Sequence, residues 1–335
     1  MIKEAIDKVV RKIDLTQDEM TQVFEEIMTG NATPIQIGAF IVALRMKGET
    51  VDEITAAAKV MRAKASGISL GNGVDVVDTC GTGGDVSHTF NISTATAFVL
   101  AGCGVKVAKH GNRSVSSKCG SADVLEELGV KIDLSPDRVK ACIEKIGIGF
   151  MFAPIFHSAM KHAVAPRKEI GIRTIFNILG PLSNPASATH QILGTFKPEI
   201  TETLAGVLLN LGIKAAMVVH SEDGLDEISI SAKTKITELK NKAVKSYTVE
   251  PKDFGLTIQD ISKIKGGTKG ENAKITLGLL EGQKGPARDI VLMNAGAALV
   301  VLGKAKDFKD GVKLAEEAID SKKALKKLGL LKQEK

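Results

Sequence analysis

The first seventy or so residues carry their apolar side chains at helical spacing, and each segment opens on its own start signal. Ile2, Ala5, Ile6, Val9, Val10 and Ile13 share one face. Thr16-Gln17-Asp18-Glu19 forms a capping box ahead of Met20, Val23, Phe24 and Ile27, a segment that Gly30 stops. Thr33-Pro34-Ile35-Gln36 places a cap before a first-turn proline and opens residues 37–46, which Gly48 ends. Thr50-Val51-Asp52-Glu53 repeats the device before residues 54–65. The pattern predicts an all-helical module.

From Val74 the texture changes to short β-branched runs alternating with helical patterns. Residues 74–77, 105–108, 192–196 and 216–220 read as strands. Residues 135–146, opened by Ser135-Pro136, and residues 200–211 read as helices between them. Such alternation predicts an α/β fold with a mostly parallel central sheet flanked by helices, and ligands at the carboxyl ends of the strands. Beyond Ser231 come charged alternating segments at 234–239 and 245–249, a break at Gly266-Gly267, an apolar run at 295–302 and a lysine-rich helical end.

Composition narrows the class. At 335 residues and 44% hydrophobic the chain fills a core, and no run of about 18 uncharged apolar residues is present. Met1-Ile2-Lys3-Glu4-Ala5-Ile6-Asp7 is an amphipathic mix unlike a signal peptide, so a cytoplasmic protein without membrane partners is expected. Cys80, Cys103, Cys119 and Cys142 are too far apart for a metal clip and read as free thiols. The excess of 45 basic over 39 acidic residues, +6, lies largely in lysines after residue 303. Lysine-rich helix ends are usually solvated faces, and one tyrosine with no tryptophan leaves few platforms for stacking bases. Nucleic acid is therefore not an expected partner.

The candidate chemistry gathers in a few polar, glycine-rich stretches. Asp78-Thr79-Cys80-Gly81-Thr82-Gly83-Gly84-Asp85 follows the apolar run at 74–77, and its glycines let backbone N–H groups approach a ligand closely. Thr89-Phe90-Asn91-Ile92-Ser93-Thr94 then feeds an alanine-rich helix, whose start is a natural anion site. The pattern matches neither G-x-G-x-x-G nor a Walker A loop. A second anion cradle is read in Lys109-His110-Gly111-Asn112-Arg113-Ser114-Val115-Ser116-Ser117, with Ser121 opening the next helix. Arg167 could fork onto a carboxylate, whereas His157 and His162, five apart, lack the spacing of a helical zinc pair. The glycines and prolines of residues 171–185 read as a rigid turn. Asp226-Glu227, just past a strand, suits magnesium beside phosphates.

Six of these pieces, in order, resemble the motif series of the anthranilate phosphoribosyltransferases: Gly81-Thr82-Gly83-Gly84-Asp85, Asn91-Ile92-Ser93-Thr94, Lys109-His110-Gly111-Asn112-Arg113, Arg167-Lys168-Glu169-Ile170-Gly171, Asn177-Ile178-Leu179-Gly180-Pro181 and Asp226-Glu227. The resemblance runs from the N-terminal helices to Ala297. It implies transfer of the phosphoribosyl group of 5-phosphoribosyl 1-diphosphate (PRPP) to the amino group of anthranilate, releasing diphosphate, in tryptophan biosynthesis. Gly81, Gly84, Asp85 and Thr89 would contact PRPP, and Asn91, Ile92, Ser93 and Thr94 would hold its phosphates. Lys109, His110, Gly111, Asn112, Arg113, Ser114, Val115, Ser116, Ser117 and Ser121 would complete that cradle. Gly81, Asn112 and Arg167 would meet anthranilate. Ser93, Asp226 and Glu227 would hold two magnesium ions on the diphosphate. The implied fold is a helical domain, residues 1–72 with a returning segment near 165–185, beside an α/β PRPP-binding domain of residues 73–164 and 186–335. A homodimer through the helical domain is implied as well.

The chemistry needs no activated nucleophile, since a neutral amine attacks as it stands and no nucleophile motif is present. Positioning and electrostatics would carry it, with His110 the candidate to accept the amine proton or orient the carboxylate. Two rivals share the architecture: a pyrimidine nucleoside phosphorylase, against which Arg167 and Asp226-Glu227 speak, and a nucleic-acid-binding relative, supported by the +6 charge alone.

Overall fold

In the computed structural model, which describes residues 1–71, 73–83, 89–114 and 119–335, the chain begins with α1 (Ile2–Val10), α2 (Gln17–Thr29), α3 (Pro34–Lys47) and α4 (Val51–Lys64). Thr16, Thr33 and Thr50 each accept from the backbone N–H three residues on, and Glu19, Gln36 and Glu53 accept from the cap in return. Glu53 is fully buried, and its carboxylate also accepts from Leu15 N–H and Lys47 Nζ, each at 2.9 Å. One acid thus ties the α1–α2 connection, the end of α3 and the start of α4. Helix α1 stops earlier than its apolar spacing predicts: Val10 and Ile13 are exposed, because the chain leaves the helix with Lys12 at φ 60°.

The rest runs β1 (Val76–Gly81), α5 (Ile92–Gly102), β2 (Lys106–Gly111), α6 (Ser121–Glu127), α7 (Pro136–Lys145), β3 (Ile148–Phe152), α8 (Ala153–Phe156), α9 (Lys161–Ile170), α10 (Ile175–Leu182), β4 (His190–Gly194), α11 (Thr201–Asn210), β5 (Ala215–Ser221), β6 (Thr234–Lys240), β7 (Ala243–Val249), α12 (Lys269–Leu280), α13 (Pro286–Val301), α14 (Phe308–Asp320) and α15 (Lys323–Leu331). The described strands form one sheet in the order β3-β2-β1-β4-β5-β6-β7. Pairing is parallel from β3 to β5 and antiparallel through β6 and β7. Residues 243–246 of β7, at one edge, are exposed.

Strand limits differ from those the apolar runs predict. β1 continues through Asp78, Thr79, Cys80 and Gly81 because the polar side chains find buried partners: the Asp78 carboxylate accepts from Asn184 Nδ2 at 2.7 Å, and Thr79 Oγ1 donates to the Ser93 carbonyl at 2.9 Å. β4 covers 190–194 rather than 192–196, since His190 and Gln191 are buried in the ladder. β3 was not expected at all. Residues 171–185, read as a turn, contain α10 instead. Asn177 Oδ1 accepts from Thr174 N–H at 3.0 Å at its start, and Pro181 falls in the last turn, its carbonyl accepting from Gln191 Nε2 at 2.7 Å. Although α9 and α10 lie between β3 and β4 in the chain, they pack on α2, α3 and α4. One core lies among α5, α13, α14, α15 and the sheet, and a second runs from the bundle through α10 to α11 and β5. The four cysteines are free thiols, and burial pushes Cys119 and Cys142 up to about 11 and Cys103 to about 12.

Candidate active site

The chain leaves β1 toward β2 and β3 but leaves β4 toward β5, so the carboxyl ends of the adjacent β1 and β4 open a crevice. Gly81 and Gly194 face each other there in the ladder. The loop after β5 lies directly on them. A methyl on Gly81 would stand 2.2 Å from Asp226 Oδ2, and one on Gly194 would stand 1.6 Å from the Asp226 carbonyl oxygen. Only two missing Cβ atoms let this acid approach the strand ends. Thr82 N–H donates to the Gly194 carbonyl at 2.9 Å, and Asp226 Oδ2 accepts from Gly83 N–H at 3.0 Å.

On one side of this crevice stands the start of α5. No side chain caps it; Asn91 Nδ2 donates instead to the Cys119 carbonyl at 3.2 Å. Lys109 is buried, its Nζ donating to the Thr79 carbonyl at 2.6 Å and to Ser93 Oγ at 3.3 Å. A buried cation beneath a helix start makes the spot attractive to anions. Thr94 is buried beside Ser93, and Thr89 bridges Lys265 just upstream. Arg113, expected in the cradle, is spoken for: its guanidinium pairs with Asp123 and Glu126 at 2.9 Å and its charge is further stabilised by them. Burial works against the Asp123 carboxylate, but the amides of Gly120 and Ser114 and the Arg113 guanidinium prevail and hold its pKa below the usual range. Arg113 therefore ties the end of β2 to α6, while Ser121 Oγ donates to the Asn112 carbonyl at 3.3 Å. The expected contacts Gly84, Asp85, Val115, Ser116 and Ser117 lie outside the described residues.

On the other side a cleft of about 460 Å3 is lined by Gly81, His110, Asn112, His157, Arg167 and Phe176. The three residues expected to meet one substrate, Gly81, Asn112 and Arg167, thus share one cavity. The Arg167 guanidinium lies 5.0 Å from the Phe176 ring centroid, and no ion pair among the described residues takes its charge. Sequence reasoning missed Phe176, Gly194 and the role of His157. Phe176 was hidden inside the segment read as a turn, and Gly194 stood as one glycine closing an apolar run. The rings of His110 and His157 lie 4.9 Å apart. Burial, and for His110 also the neighbouring His157, pushes their pKa values down to about 3 and about 4. Both are neutral at neutral pH, with Nε2 atoms buried and without a hydrogen-bond partner among the described residues.

The residues present fit magnesium as a guest of a substrate rather than of the protein alone. Among the described residues no three His, Cys, Asp or Glu gather into a metal cage. Asp226, Glu227 and the Ser93 hydroxyl supply hard oxygens, and magnesium is commonly held by one or two carboxylates plus substrate phosphates. The cradle that a Cβ at Gly81 would fill brings Asp226 to the strand ends where such phosphates would lie.

A helical bundle beside a mostly parallel sheet with this crevice is the arrangement of a glycosyl transferase family, whose a/b domain matches residues 73–325 and whose helical bundle domain matches residues 3–65. A curated relative from Acetivibrio thermocellus, named anthranilate phosphoribosyltransferase, is 57% identical over 98% of this chain and 95% of its own. The crystal structure of the Thermus thermophilus enzyme of that name is 39% identical with a TM-score of 0.92, covering 98% of both chains. The Saccharomyces cerevisiae enzyme in complex with PRPP and Mg is 29% identical with a TM-score of 0.89, over 98% of this chain and 96% of that one. The same yeast enzyme has been solved in complex with 4-fluoroanthranilate. The chain belongs to the anthranilate phosphoribosyltransferase family.

Two outcomes follow from this geometry. Gly194→Ala forces the Asp226 loop off the strand ends, and a displacement of that size is expected to lower kcat/KM about a hundredfold while the circular dichroism spectrum stays that of the parent. The folded pKa values of His110 and His157 lie below their ordinary 6.5. The unfolded chain therefore binds protons that the folded chain refuses, so stability is full above pH 6.5 and falls as pH drops toward 4. In thermal unfolding across that window, His157→Asn should flatten the fall.

Proposed function

We infer that the protein transfers the phosphoribosyl group of PRPP to the amino group of anthranilate, giving N-(5-phosphoribosyl)anthranilate and diphosphate in tryptophan biosynthesis. The observation that carries this reading is the meeting at Gly81 of two dissimilar half-sites: a cleft holding a guanidinium that no described acid pairs with, and an acid-bearing crevice over a helix start. The yeast relative's complexes with PRPP and Mg and with 4-fluoroanthranilate support this pair of substrates.

In this reading Arg167 forks onto the anthranilate carboxylate, with Phe176 beneath the guanidinium keeping its face dry. Asn112, at the end of β2, holds the ring's polar edge from the opposite wall. The amine, neutral and unshared with any cation, attacks C1 as the bond from C1 to the diphosphate oxygen breaks, through an oxocarbenium-like state. His110, neutral and weakly basic, accepts a hydrogen bond from the amine rather than its proton, and the acidic arylammonium releases that proton to water. Asn91, Ile92, Ser93 and Thr94 receive phosphate at the start of α5, with Lys109 beneath. Two magnesium ions, held by Asp226, Glu227 and Ser93, would neutralise charge growing on the leaving diphosphate.

Residues 165–185 we assign to the helical domain, since α9 and α10 pack on α2, α3 and α4. Val10, Ile13, Ile35 and Met46 stand exposed on that domain, and we assign them to a homodimer interface. No described helix is long and apolar enough to cross a membrane, and our reading is of a cytoplasmic enzyme.

The decay of anthranilate fluorescence on adding PRPP tests the function. Decay is expected with magnesium and not after chelation; unchanged emission with both reactants and metal present would refute the reading. Arg167→Ala should raise KM for anthranilate at least about tenfold more than KM for PRPP, whereas equal effects would remove Arg167 from that contact. Sedimentation equilibrium should return twice the mass of the 35.4 kDa chain, and Met46→Asp should shift it toward the monomer.

A further inference from the structure

The connection between α9 and α10 carries a second arginine, six residues beyond Arg167, that lies outside the substrate cleft. Arg173 Nη2 donates to the Gly83 carbonyl at 2.7 Å, and its guanidinium lies over the Phe196 ring, 4.3 Å from the centroid. Phe196 is itself tied to the same loop, its N–H donating to Thr82 Oγ1 at 3.2 Å. Gly83 also donates its own N–H to Asp226 Oδ2. The two peptide planes flanking Gly83 are thus held by different partners, one by Arg173 and one by the acid.

Among the described residues, packing does not hold them. A Cβ built on Gly83 would meet nothing within 4 Å, and the residue stands at φ +67°, a conformation glycine leaves and re-enters at little cost. Among the described residues, hydrogen bonds therefore decide which way the Gly83 N–H points. We propose that Arg173 is a positioning residue: by fixing the Gly83 carbonyl it aims the Gly83 N–H at Asp226 and so sets the carboxylate that serves the diphosphate. The inference rests on the function proposed above. It also makes the α9–α10 connection the physical link between the two half-sites, because Arg167 sits in the last turn of α9 and Arg173 grips the β1 loop.

The test has one arm that needs no turnover. In 15N-glycine-labelled protein without substrates, the Gly83 amide should exchange with solvent faster in Arg173→Ala than in the parent, while glycine amides inside the sheet keep their rates. In turnover, Arg173→Ala should raise KM for PRPP about tenfold, the factor for one hydrogen bond from a charged donor, and leave KM for anthranilate within about twofold. Arg173→Lys should recover part of the loss, as should guanidinium ion added to Arg173→Ala below denaturing concentration. Should Arg173→Ala fail to fold, Phe196→Leu, which removes the ring beneath the guanidinium, should give the same pattern in weaker form. Unchanged Gly83 exchange, or an equal rise in both KM values, would overturn the proposal. A parent protein that consumes no anthranilate would refute the function while leaving the exchange arm to decide the role of Arg173.

Discussion

Everything at the active site depends on how near the Asp226 backbone comes to the ends of β1 and β4. Neighbouring strands lie about 4.8 Å apart, so two side-by-side residues without Cβ atoms leave a notch about one strand wide. Gly81 and Gly194 make that notch, and the acid loop fills it. The crevice falls at the place where the chain reverses its direction of travel across the sheet, so the notch opens where α5 begins and where the bundle-side helices return. A residue larger than glycine at either position separates the acid from the sheet, and with it the two half-sites from each other.

Burial assigns the charges on either side of the notch. Beneath α5, Lys109 Nζ donates to the Thr79 carbonyl close to Asp78, whose pKa burial raises. In the cleft the same desolvation acts on imidazoles and removes their charge, leaving the half-buried Arg167 and the exposed Lys161 as the cations among its described lining residues. Such a wall attracts a carboxylate, and the two imidazoles beside it present neutral nitrogens.

The helical bundle was legible nearly residue by residue, because capping boxes are local: Thr16, Thr33 and Thr50 find their partners three residues on. The α/β class was legible too, and the glycine clusters at the strand ends stood out, since alternation and clustering are also local signals. What the sequence hid was non-local. Asp78 and Thr79 look like loop residues until Asn184 and Ser93 supply buried partners. Gly180 and Pro181 look like breakers until α10 is seen to end there, with Gln191 satisfying the proline carbonyl. Gly194 shows its purpose only when a residue 32 positions later lies against it. Arg113 looks like a phosphate ligand, yet the carboxylates of α6 that claim it are ordinary surface acids in the sequence.

The outermost strand bears on how copies of this chain meet. Residues 243–246 of β7 leave open hydrogen-bonding groups facing water, and Lys245 is among them. A free margin of that kind could template sheet growth, one molecule onto the next, were it flat and greasy; a lysine there, repelled by its own counterpart, discourages such lateral joining. The sheet's margin is thereby guarded against growth by further strands.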